Sequence, residues 1–463
     1  METFDIIVIG SGVGGYPAAI RAAQRGKKVA LIEAGEIGGT CLNRGCIPSK
    51  ALIAGTELYH RIQKSSTKFG ITYDNLKMDW SQLQNHKNEV VKRMRTGLKG
   101  LILENKIKIF EGYGTFKSPK EVEVKGKDAA ILKADKIIIA TGSEPRDIPA
   151  FPCDHKQILD STSLLNLPTL PKSIIIIGGG VIGCEFASLF NQQGVDVTIC
   201  ELLPSILPME AKVVGQHLTK SFKSRGIKIE TGVQVLGIDK QAKSVKVRLA
   251  DKREIEAEVA LVSVGRSMNT RNIGLDKAGV KTDDKGNIPT NDKMETNVPH
   301  IYAVGDISSK WWLAHVASHQ GVVAADNATG FKSIMHYNAV PSVIFTYPEI
   351  GTCGLSLEQA QEKGYDASVG QFPFQALGKA QAIVEPEGFA QIVIDKKTGE
   401  ILGAQVIGYE ASSLISEMTL AIQNELTVEC ITDTIHAHPT LAESWLEAAF
   451  LSINLPLHYP PKR

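Results

Sequence analysis

Two cysteines stand close together in the stretch GGTCLNRGCIPSK, which runs from Gly38 to Lys50. Cys41 and Cys46 are five positions apart, and Gly45 immediately precedes the second of them. A zinc site would need further cysteine or histidine ligands at matching spacing, and none lies nearby in the sequence. The pair therefore favours a redox-active disulfide over a metal clip or two inert buried thiols.

A disulfide between these thiols sets a condition on the backbone. Five residues of a regular helix rise about 7.5 Å, whereas bridged Cα atoms lie about 4.4 to 6.8 Å apart. The chain must depart from a regular helix between Cys41 and Cys46, and we expect Gly45 to allow that departure. Arg44, which stands between the two cysteines, could lower the pKa of the thiols or face solvent, and the sequence leaves both open.

A histidine and an acid in IHAHPTLAESW, from Ile435 to Trp445, could handle protons. Pro439 suits the first position of a helix, which predicts His438 at the helix mouth and Glu443 about one turn in. A histidine oriented by a carboxylate can take the proton from a thiol, whose deprotonated form is the nucleophile. The alternative is an acid that only stabilises the helix dipole. His436 is interpreted as structural.

The elements that must position these groups include a repeated unit. TFDIIVIGSGVGG and KSIIIIGGGVIG each run from an apolar strand into three glycines, followed by a helix-like stretch and a second strand ending in an acid. The acids, Glu33 and Glu201, both lie 18 residues after the third glycine. The glycines are Gly10, Gly12 and Gly15 in the first copy, and Gly178, Gly180 and Gly183 in the second. This pattern is the fingerprint of a dinucleotide-binding unit, whose glycines admit a pyrophosphate and whose acid binds the ribose.

Two such units imply two dinucleotides, most simply FAD and a nicotinamide. A carboxylate at Glu201 favours a free ribose 2′-hydroxyl and repels a 2′-phosphate, which predicts NAD rather than NADP.

The sequence thus predicts an α/β fold with two Rossmann-like domains and a C-terminal α+β dimerisation domain. Residues 1–145 would form the first segment of the FAD-binding domain and 146–268 the inserted NAD-binding domain. Residues 269–336 would complete the FAD-binding and central domain, and 337–463 would form the interface domain. In the last of these, DKKTGE is predicted to be a hairpin turn.

The composition argues against several classes of partner. The chain has 51 basic and 50 acidic residues and no long run of like charge, so nothing indicates binding to nucleic acid or an anionic membrane. No apolar stretch approaches the roughly 18 residues that span a bilayer, and METFDIIVIG is typical of a first strand rather than a signal peptide. Seven cysteines fit a reducing compartment. We therefore expect a soluble, cytoplasmic protein.

At these residues the chain resembles the flavin-dependent disulfide reductases, class I of the pyridine nucleotide-disulfide oxidoreductases, over essentially its whole length. It is most similar to the members that oxidise protein-bound dihydrolipoamide with NAD. The motifs that carry the resemblance are the two-cysteine box, ATGS, GGGVIGCE, VGR, GD at Gly305 and Asp306, LAHVASHQG, and HAHPTLAE.

The resemblance implies roles for individual residues. Cys41 would exchange with the substrate disulfide while Cys46 contacts the flavin, and His438, oriented by Glu443, would act as acid/base in the site of the other subunit of a homodimer. No metal is implied. The implied FAD residues are Gly10, Gly12, Gly15, Glu33, Lys50, Gly114, Thr141, Gly142, Ser143, Asp306, Trp312, Leu313, Ala314 and His315. The implied NAD residues are Gly178, Gly180, Gly183, Glu185, Glu201, Val233 and Gly265.

The activity implied by the resemblance is oxidation of protein-bound dihydrolipoamide by NAD, through a Cys41–Cys46 disulfide and FAD. Its partners would be the lipoyl domains of acyltransferase subunits in 2-oxoacid dehydrogenase complexes, with the lipoyl protein of glycine cleavage as a further candidate. The alternatives are an NADPH-dependent reductase similar to glutathione reductase, and a scaffold that binds FAD without turnover. Retention of Cys41, Cys46 and His438 argues against the scaffold.

Overall fold

The computed structural model describes residues 1–308 and 310–460 of the 463-residue chain. The described strands are β1 (Glu2–Ile9), β2 (Val29–Glu33), β3 (Lys108–Glu111), β4 (Tyr113–Ser118), β5 (Glu121–Lys125), β6 (Ala130–Ile139), β7 (Ser143–Pro145), β8 (Ile158–Leu159), β9 (Ser173–Ile177), β10 (Asp196–Glu201), β11 (Lys228–Thr231), β12 (Val235–Lys240), β13 (Val245–Leu249), β14 (Glu254–Ala257), β15 (Val259–Val262), β16 (Arg266–Met268), β17 (Ile301–Ala303), β18 (Ser342–Ile344), β19 (Glu349–Gly354), β20 (Ala367–Pro373), β21 (Gly388–Asp395) and β22 (Ile401–Gly408).

The described α-helices are α1 (Gly15–Gln24), α2 (Gly39–Arg44), α3 (Cys46–Ser65), α4 (Trp80–Glu104), α5 (Ser161–Leu164), α6 (Val181–Asn191), α7 (Lys212–Ser224), α8 (Leu275–Ala278), α9 (Ala314–Ala328), α10 (Leu357–Glu362), α11 (Gly378–Ala382), α12 (Ala411–Gln423), α13 (Val428–Thr432) and α14 (Glu443–Ser452). Short 3-10 helices cover Ser66–Phe69, Gly305–Ile307 and Phe374–Ala376.

The first sheet is built around β1, whose apolar run is buried on both faces, as is usual for a central parallel strand. Its strand order is β3-β2-β1-β6-β5-β4, and β17 also pairs with β6. Strands β1, β2, β3, β6 and β17 run parallel, whereas β4, β5 and β6 form an antiparallel meander. Helices α1 and α9 pack on one face of this sheet. The glycine loop that follows β1 lies at the carboxyl end of the parallel strands.

The second sheet repeats this plan with five parallel strands in the order β11-β10-β9-β15-β8. Helices α6 and α7 cover one face, and the antiparallel sheet β12-β13-β14 covers the other. The strand, glycine loop and helix predicted from the repeat are therefore present in both copies.

A two-stranded ribbon connects the two sheets. Strand β7 leaves the first unit and pairs with β16, which returns the chain from the second unit. The second unit is thus inserted into the first, and both connections run side by side.

The C-terminal part is an antiparallel sheet of order β18-β19-β22-β21-β20, with α12 and α14 packed against it. Lys396–Glu400 connect β21 to β22, which confirms the hairpin predicted at DKKTGE. The predicted fold class is confirmed in all three parts.

One predicted helix start is wrong. Helix α14 begins at Glu443, four residues after Pro439. The carboxylate of Glu443 accepts a hydrogen bond from the backbone N–H of Thr440 at 2.8 Å. The N–H groups of Ser444 and Trp445 bond to the carbonyls three positions back, so the chain enters α14 through turns. Within residues 1–308 and 310–460, no helix is both long and apolar enough to cross a membrane.

Candidate active site

Cys41 and Cys46 lie on two different helices. Helix α2 ends at Arg44 and α3 begins at Cys46, with Gly45 between them at φ −146° and ψ −113°. A Cβ atom on Gly45 would lie 3.0 Å from the carbonyl oxygen of Thr40, closer than most side chains tolerate. The predicted break in the backbone is present at Gly45, and both cysteines are free thiols.

The two thiols differ in acidity. The pKa of Cys46 is lowered to about 7, chiefly by a hydrogen bond from Cys41 and also by the Lys50 ammonium, although burial and Glu185 act in the opposite direction. The same hydrogen bond, together with burial, raises the pKa of Cys41. Near neutral pH Cys46 is therefore the thiolate of the pair, and Cys41 holds the proton.

Lys50 and Glu185 form an ion pair across the two dinucleotide units. The Lys50 Nζ lies 2.9 and 2.8 Å from the two carboxylate oxygens of Glu185, which is buried. Lys50 stands one helical turn after Cys46 on α3, and Glu185 lies in the first half of α6. Glu185 also accepts a hydrogen bond from the N–H of Phe345 at 3.0 Å. The ion pair therefore connects the start of α3 to the second dinucleotide unit and, through Phe345, to the C-terminal part of the chain.

Arg44 points away from the thiols. Its guanidinium pairs with Glu144 at 2.7 Å, and both side chains are exposed. Lys50 is the cation that acts on both cysteines. Of the two possibilities left open by the sequence, the structure favours the solvent-facing arginine.

The first glycine loop forms a tight turn at the start of α1. Gly10 has φ +101°, and a Cβ atom on Gly15 would lie 1.8 Å from the carbonyl oxygen of Gly10, so α1 starts in direct contact with the loop. The Glu33 carboxylate accepts hydrogen bonds from the N–H of Ser11 at 2.8 Å and of Gly35 at 2.7 Å. These contacts fix the acid at the end of β2, beside the glycines.

The second loop has the same geometry. Gly178 has φ +105°, and a Cβ atom on Gly183 would lie 2.0 Å from the carbonyl oxygen of Gly178. The Glu201 carboxylate accepts hydrogen bonds from the N–H of Gly179 at 2.6 Å and of Leu203 at 2.7 Å. Both acids are therefore held by the residue between the first two glycines and by the residue two positions after the acid.

Glu201 has no neutralising cation in the described part of the chain. Among the described residues, no Lys, Arg or His nitrogen lies within 4.0 Å of its carboxylate. Arg253, which is nearby in the same unit, pairs with Glu230 and Asp251 at 2.9 and 2.8 Å. The carboxylate is free to accept ribose hydroxyls. Val233 donates its N–H to the Glu201 carbonyl at 3.0 Å and so lies beside this acid.

Space remains around the second loop for a pyrophosphate. A Cβ atom on Gly180 would meet nothing within 4 Å. Gly265, at φ +111°, follows β15 at the carboxyl end of the same sheet. These features match the cradle that the sequence predicts for a nicotinamide dinucleotide.

A polar network lies where β6 and β17 end. Ser143 donates its hydroxyl to Asp306 and accepts a hydrogen bond from Nε of Arg266 at 2.6 Å. Arg266 also donates to the carbonyl of Ser143 at 2.6 Å. The hydroxyl of Thr141 is buried and has no hydrogen-bond partner among the described residues, and a Cβ atom on Gly142 would meet nothing within 4 Å. An unpartnered buried hydroxyl beside open space fits a ligand rich in polar groups, such as FAD.

Arg266 is a site residue that sequence reasoning missed. It lies in β16, on the ribbon between the two units, and its side chain is largely buried. The VGR motif, which contains Arg266, was the sequence signal that could have identified it. The motif could not reveal the contact with Ser143, because the two residues are 123 positions apart in the sequence.

The remaining predicted flavin residues lie around the first unit. Gly114 packs against Ile9 and Ile32, so β4 approaches the ends of β1 and β2. The stretch from Trp312 to His315 leads into α9, and the hydroxyl of Ser318 on that helix donates to the carbonyl of Val13 at 2.8 Å. The stretch is therefore adjacent to the first glycine loop, whereas Trp312 itself is exposed.

His438 and Glu443 form the predicted pair. Nδ1 of His438 lies 2.8 Å from Oε1 of Glu443, and the imidazole is 77% exposed. No hydrogen bond joins His438 to Cys41 or Cys46 in the described part of the chain. The side chain of His436, by contrast, is buried and bonds to Glu417 of α12 at 3.0 Å, as expected of a structural histidine.

Comparison with known proteins places this geometry in a family. Residues 4–321 match the model described as pyridine nucleotide-disulphide oxidoreductase, and residues 340–449 match the dimerisation domain of the same group. The chain belongs to the pyridine nucleotide-disulphide oxidoreductase family.

Relatives of this oxidoreductase match it over its whole length. A dihydrolipoyl dehydrogenase of Chlamydia pneumoniae is 53% identical over 461 residues, covering 100% of this chain and 99% of that protein. The mitochondrial dihydrolipoyl dehydrogenase of Pisum sativum is 38% identical and covers 98% of this chain and 92% of its own length. The crystal structure of LpdA from Mycobacterium tuberculosis superposes with a TM-score of 0.91 at 27% identity, covering 97% of this chain and 99% of that one.

Proposed function

We propose that this oxidoreductase oxidises protein-bound dihydrolipoamide to lipoamide and reduces NAD, using FAD and the Cys41–Cys46 pair. The observation that carries the proposal is the pair of unequal thiols at the start of α3, between two dinucleotide loops. The names of the full-length relatives supply the substrate.

FAD is assigned to the first loop and NAD to the second. Glu33, the unpartnered Thr141 hydroxyl and the Ser143–Asp306 pair would hold FAD, and Glu201 would hold the ribose of NAD. When bound, FAD supplies the two-electron chemistry that links the dithiol to NAD. The protein positions the reacting groups and handles protons.

The first exchange step opens the enzyme disulfide. His438 removes a proton from one substrate thiol, the resulting thiolate attacks Sγ of Cys41, a new S–S bond forms between them, and the Cys41–Cys46 bond breaks. Cys46 leaves as a thiolate, and a thiol of lower pKa leaves faster. The charge of Lys50, which lowers the pKa of Cys46, favours this direction of exchange.

The second step releases the product. The second substrate sulfur attacks the substrate sulfur bound to Cys41 and gives up its proton, which passes to Cys41 as that thiol leaves. The lipoyl disulfide forms while Cys41 leaves. Of the two protons of the dithiol, one ends on Cys41 and the other stays on His438 until it is lost to solvent. Glu443, bonded to Nδ1, would direct Nε2 of His438 toward the substrate.

The active site is proposed to combine two subunits of a homodimer. The exposed imidazole of His438 and the match to a dimerisation domain support this arrangement. Lipoyl domains of 2-oxoacid dehydrogenase complexes, and the lipoyl protein of glycine cleavage, are the proposed partners. We also propose the domain boundaries 1–145, 146–268, 269–336 and 337–463, and a cytoplasmic location, where the reactive thiols would remain reducible.

The closest alternative is a reductase that uses NADPH to reduce a disulfide such as glutathione. Glu201 disfavours it, because its carboxylate, which has no cation beside it among residues 1–308 and 310–460, repels a 2′-phosphate.

A steady-state assay of the FAD-loaded protein tests the proposal. We expect rapid oxidation of dihydrolipoamide with NAD, and at least about tenfold lower kcat/KM with NADP, equivalent to roughly 1.4 kcal/mol. Oxidised glutathione with NADPH serves as the comparison reaction. A preference for NADP, or faster turnover of glutathione than of dihydrolipoamide, would contradict the assignment.

A further inference from the structure

The loop between β10 and α7, residues 202–211, lies against the second glycine loop. The N–H of Leu207 donates to the carbonyl of Gly179 at 2.8 Å, and Ile206 and Leu207 are buried. A Cβ atom on Gly179 would lie 2.9 Å from Cγ2 of Ile206 and 3.2 Å from Cβ of Glu201. Gly179 is therefore enclosed between this loop and the acid that is proposed to bind the ribose of NAD.

Gly179 is held through both of its backbone polar groups. Its N–H donates to the Glu201 carboxylate at 2.6 Å, while its carbonyl accepts the hydrogen bond from Leu207. Leu207 has φ +49°, a conformation that is unfavourable for a residue with a side chain, so it depends on support from the rest of the loop.

Glu210 fixes the other end of this loop to the C-terminal part. Its carboxylate accepts hydrogen bonds from the hydroxyls of Ser342 in β18 at 3.0 Å and of Thr352 in β19 at 2.8 Å. Ser342 and Thr352 are paired in the antiparallel ladder, and each hydroxyl binds a different carboxylate oxygen. The N–H of Glu210 donates to the carbonyl of Leu207 at 3.0 Å. Hydrogen bonds thus run from the C-terminal sheet through Glu210 and Leu207 to Gly179.

Packing makes the C-terminal sheet a firm support for Glu210. The ring of His217 on α7, the helix that follows the loop, meets the ring of Phe389 on β21 with centroids 5.4 Å apart. Phe345, which follows β18, donates its N–H to Glu185 of α6 at 3.0 Å. The sheet therefore contacts the second dinucleotide unit at α6, at α7 and at the loop.

We propose that Glu210 is a positioning residue for NAD. By anchoring the loop to the C-terminal sheet, it keeps Gly179 and Glu201 in the geometry that receives the dinucleotide. The inference rests on the proposed assignment of NAD to the second glycine loop. FAD is assigned to the first loop, so we expect the FAD content to be independent of Glu210.

Calorimetric titration of the oxidised, FAD-loaded protein with NAD tests the inference. Glu210→Ala removes both hydrogen bonds, and the Kd for NAD should rise about fivefold, the effect of one lost hydrogen bond of ordinary strength. Glu256→Ala is the matched control. This acid also accepts a hydrogen bond from a hydroxyl, that of Ser244 at 2.6 Å, but it lies on β14, outside the loop.

Glu210→Gln separates hydrogen bonding from charge. In the described part of the chain, no Lys, Arg or His nitrogen lies within 4.0 Å of the Glu210 carboxylate, which therefore acts as an acceptor rather than as a counter-charge. An amide can accept from one hydroxyl and donate to the other, so the Kd should stay within about twofold of that of the unaltered protein.

Variants on the opposite side of the contact give an independent test. Ser342→Ala combined with Thr352→Val removes both donors and should raise the Kd for NAD by a factor similar to that of Glu210→Ala. Adding Glu210→Ala to this pair should cause little further change, because all three substitutions break the same contact. If Glu210→Ala fails to fold, the pair of hydroxyl variants decides the question.

The outcomes distinguish the inference from the function on which it rests. An equal Kd for NAD in Glu210→Ala and the unaltered protein would overturn the inference, as would an equal loss of affinity in Glu256→Ala or Glu210→Gln. If the unaltered protein does not bind NAD, the proposed function is contradicted and the inference falls with it.

Discussion

At the scale of single residues, identical side chains acquire different chemistry from their neighbours. Cys41 and Cys46 are both thiols, but only Cys46 begins a helix that places Lys50 one turn away. The sequence predicted the pair and the break at Gly45 from spacing alone. It did not predict that Glu185, 135 residues beyond Lys50, would fix that lysine.

Lys50→Gln should make Cys46 less acidic. Removing the ammonium leaves Glu185, whose charge raises the pKa of Cys46, so the midpoint near pH 7 should rise by about one unit. The pH dependence of iodoacetamide labelling of Cys46 in the reduced protein measures this midpoint. Arg44→Gln is the matched control and should leave it unchanged, since Arg44 pairs with Glu144. Equal midpoints in Lys50→Gln and the unaltered protein would contradict the assigned role of Lys50.

Cys46→Ser should abolish oxidation of dihydrolipoamide while FAD stays bound. Serine cannot form the disulfide, whereas the Gly10, Glu33 and Asp306 region that would hold FAD is untouched. Turnover and the flavin absorbance of the purified variant provide the two measurements. Near-normal turnover would rule out the proposed electron path.

At the scale of elements, close backbone contacts decide which helices can reach the site. Helix α14 carries Glu443 and Glu447 and packs directly on β20. A Cβ atom on Gly370 of β20 would lie 1.9 Å from the carbonyl oxygen of Ala448. The sequence predicted a helix in this region but placed its start at Pro439, because proline at the first helical position is common. The sequence could not show that the Glu443 carboxylate accepts a hydrogen bond from the Thr440 N–H and that the helix begins only at Glu443.

Gly370→Ala should destabilise the protein by about 3 kcal/mol, because the new methyl group must displace the backbone of α14. We expect thermal unfolding of the FAD-loaded protein to begin roughly 5 °C lower. Gly378→Ala is the matched control, since a Cβ atom there would meet nothing within 4 Å. A loss of stability equal in both variants would show that the α14 contact is not responsible.

At the scale of the whole molecule, α3 joins the redox site to the C-terminal part. Lys64, near its end, donates to the hydroxyl of Tyr347 at 2.6 Å and to Glu385 at 3.1 Å. Burial raises the pKa of Glu57 on the same helix to about 7, and the charge of Glu349 adds to the shift. The contact between α3 and the C-terminal part therefore includes the Glu57 carboxyl group, whose ionised form is destabilised.

Glu57→Gln should stabilise the protein at alkaline pH. Because the folded-state pKa is raised from 4.5 to about 7, folding binds a proton, and stability falls as pH rises between these values. At pH 8 the variant should be more stable by about 1 kcal/mol, allowing for partial exposure, and the difference should approach zero at pH 4, below the unfolded-state pKa of 4.5. Urea unfolding at both pH values measures it. Glu104→Gln, on the exposed end of α4, is the control; a pH-independent gain would contradict the explanation.

Mixed dimers test whether the site is shared between subunits. A heterodimer of one Cys46→Ser chain and one His438→Gln chain would contain one complete site, formed by the cysteines of the second chain and His438 of the first. We expect about half the activity of the unaltered dimer, although each parent homodimer is nearly inactive. Differently tagged chains allow the heterodimer to be purified for assay. An inactive heterodimer would mean that His438 serves its own chain.

The sequence by itself determined the two dinucleotide units, the cysteine pair and the histidine with its acid. These features are set by short-range spacing: glycines at a turn, apolar strands before it, and reactive side chains within a few residues of one another. The tertiary structure alone decided the Lys50–Glu185 ion pair, the Arg266–Ser143–Asp306 network and the contacts of Glu210 with Ser342 and Thr352. Those contacts depend on how separate elements pack, which spacing along the chain does not encode.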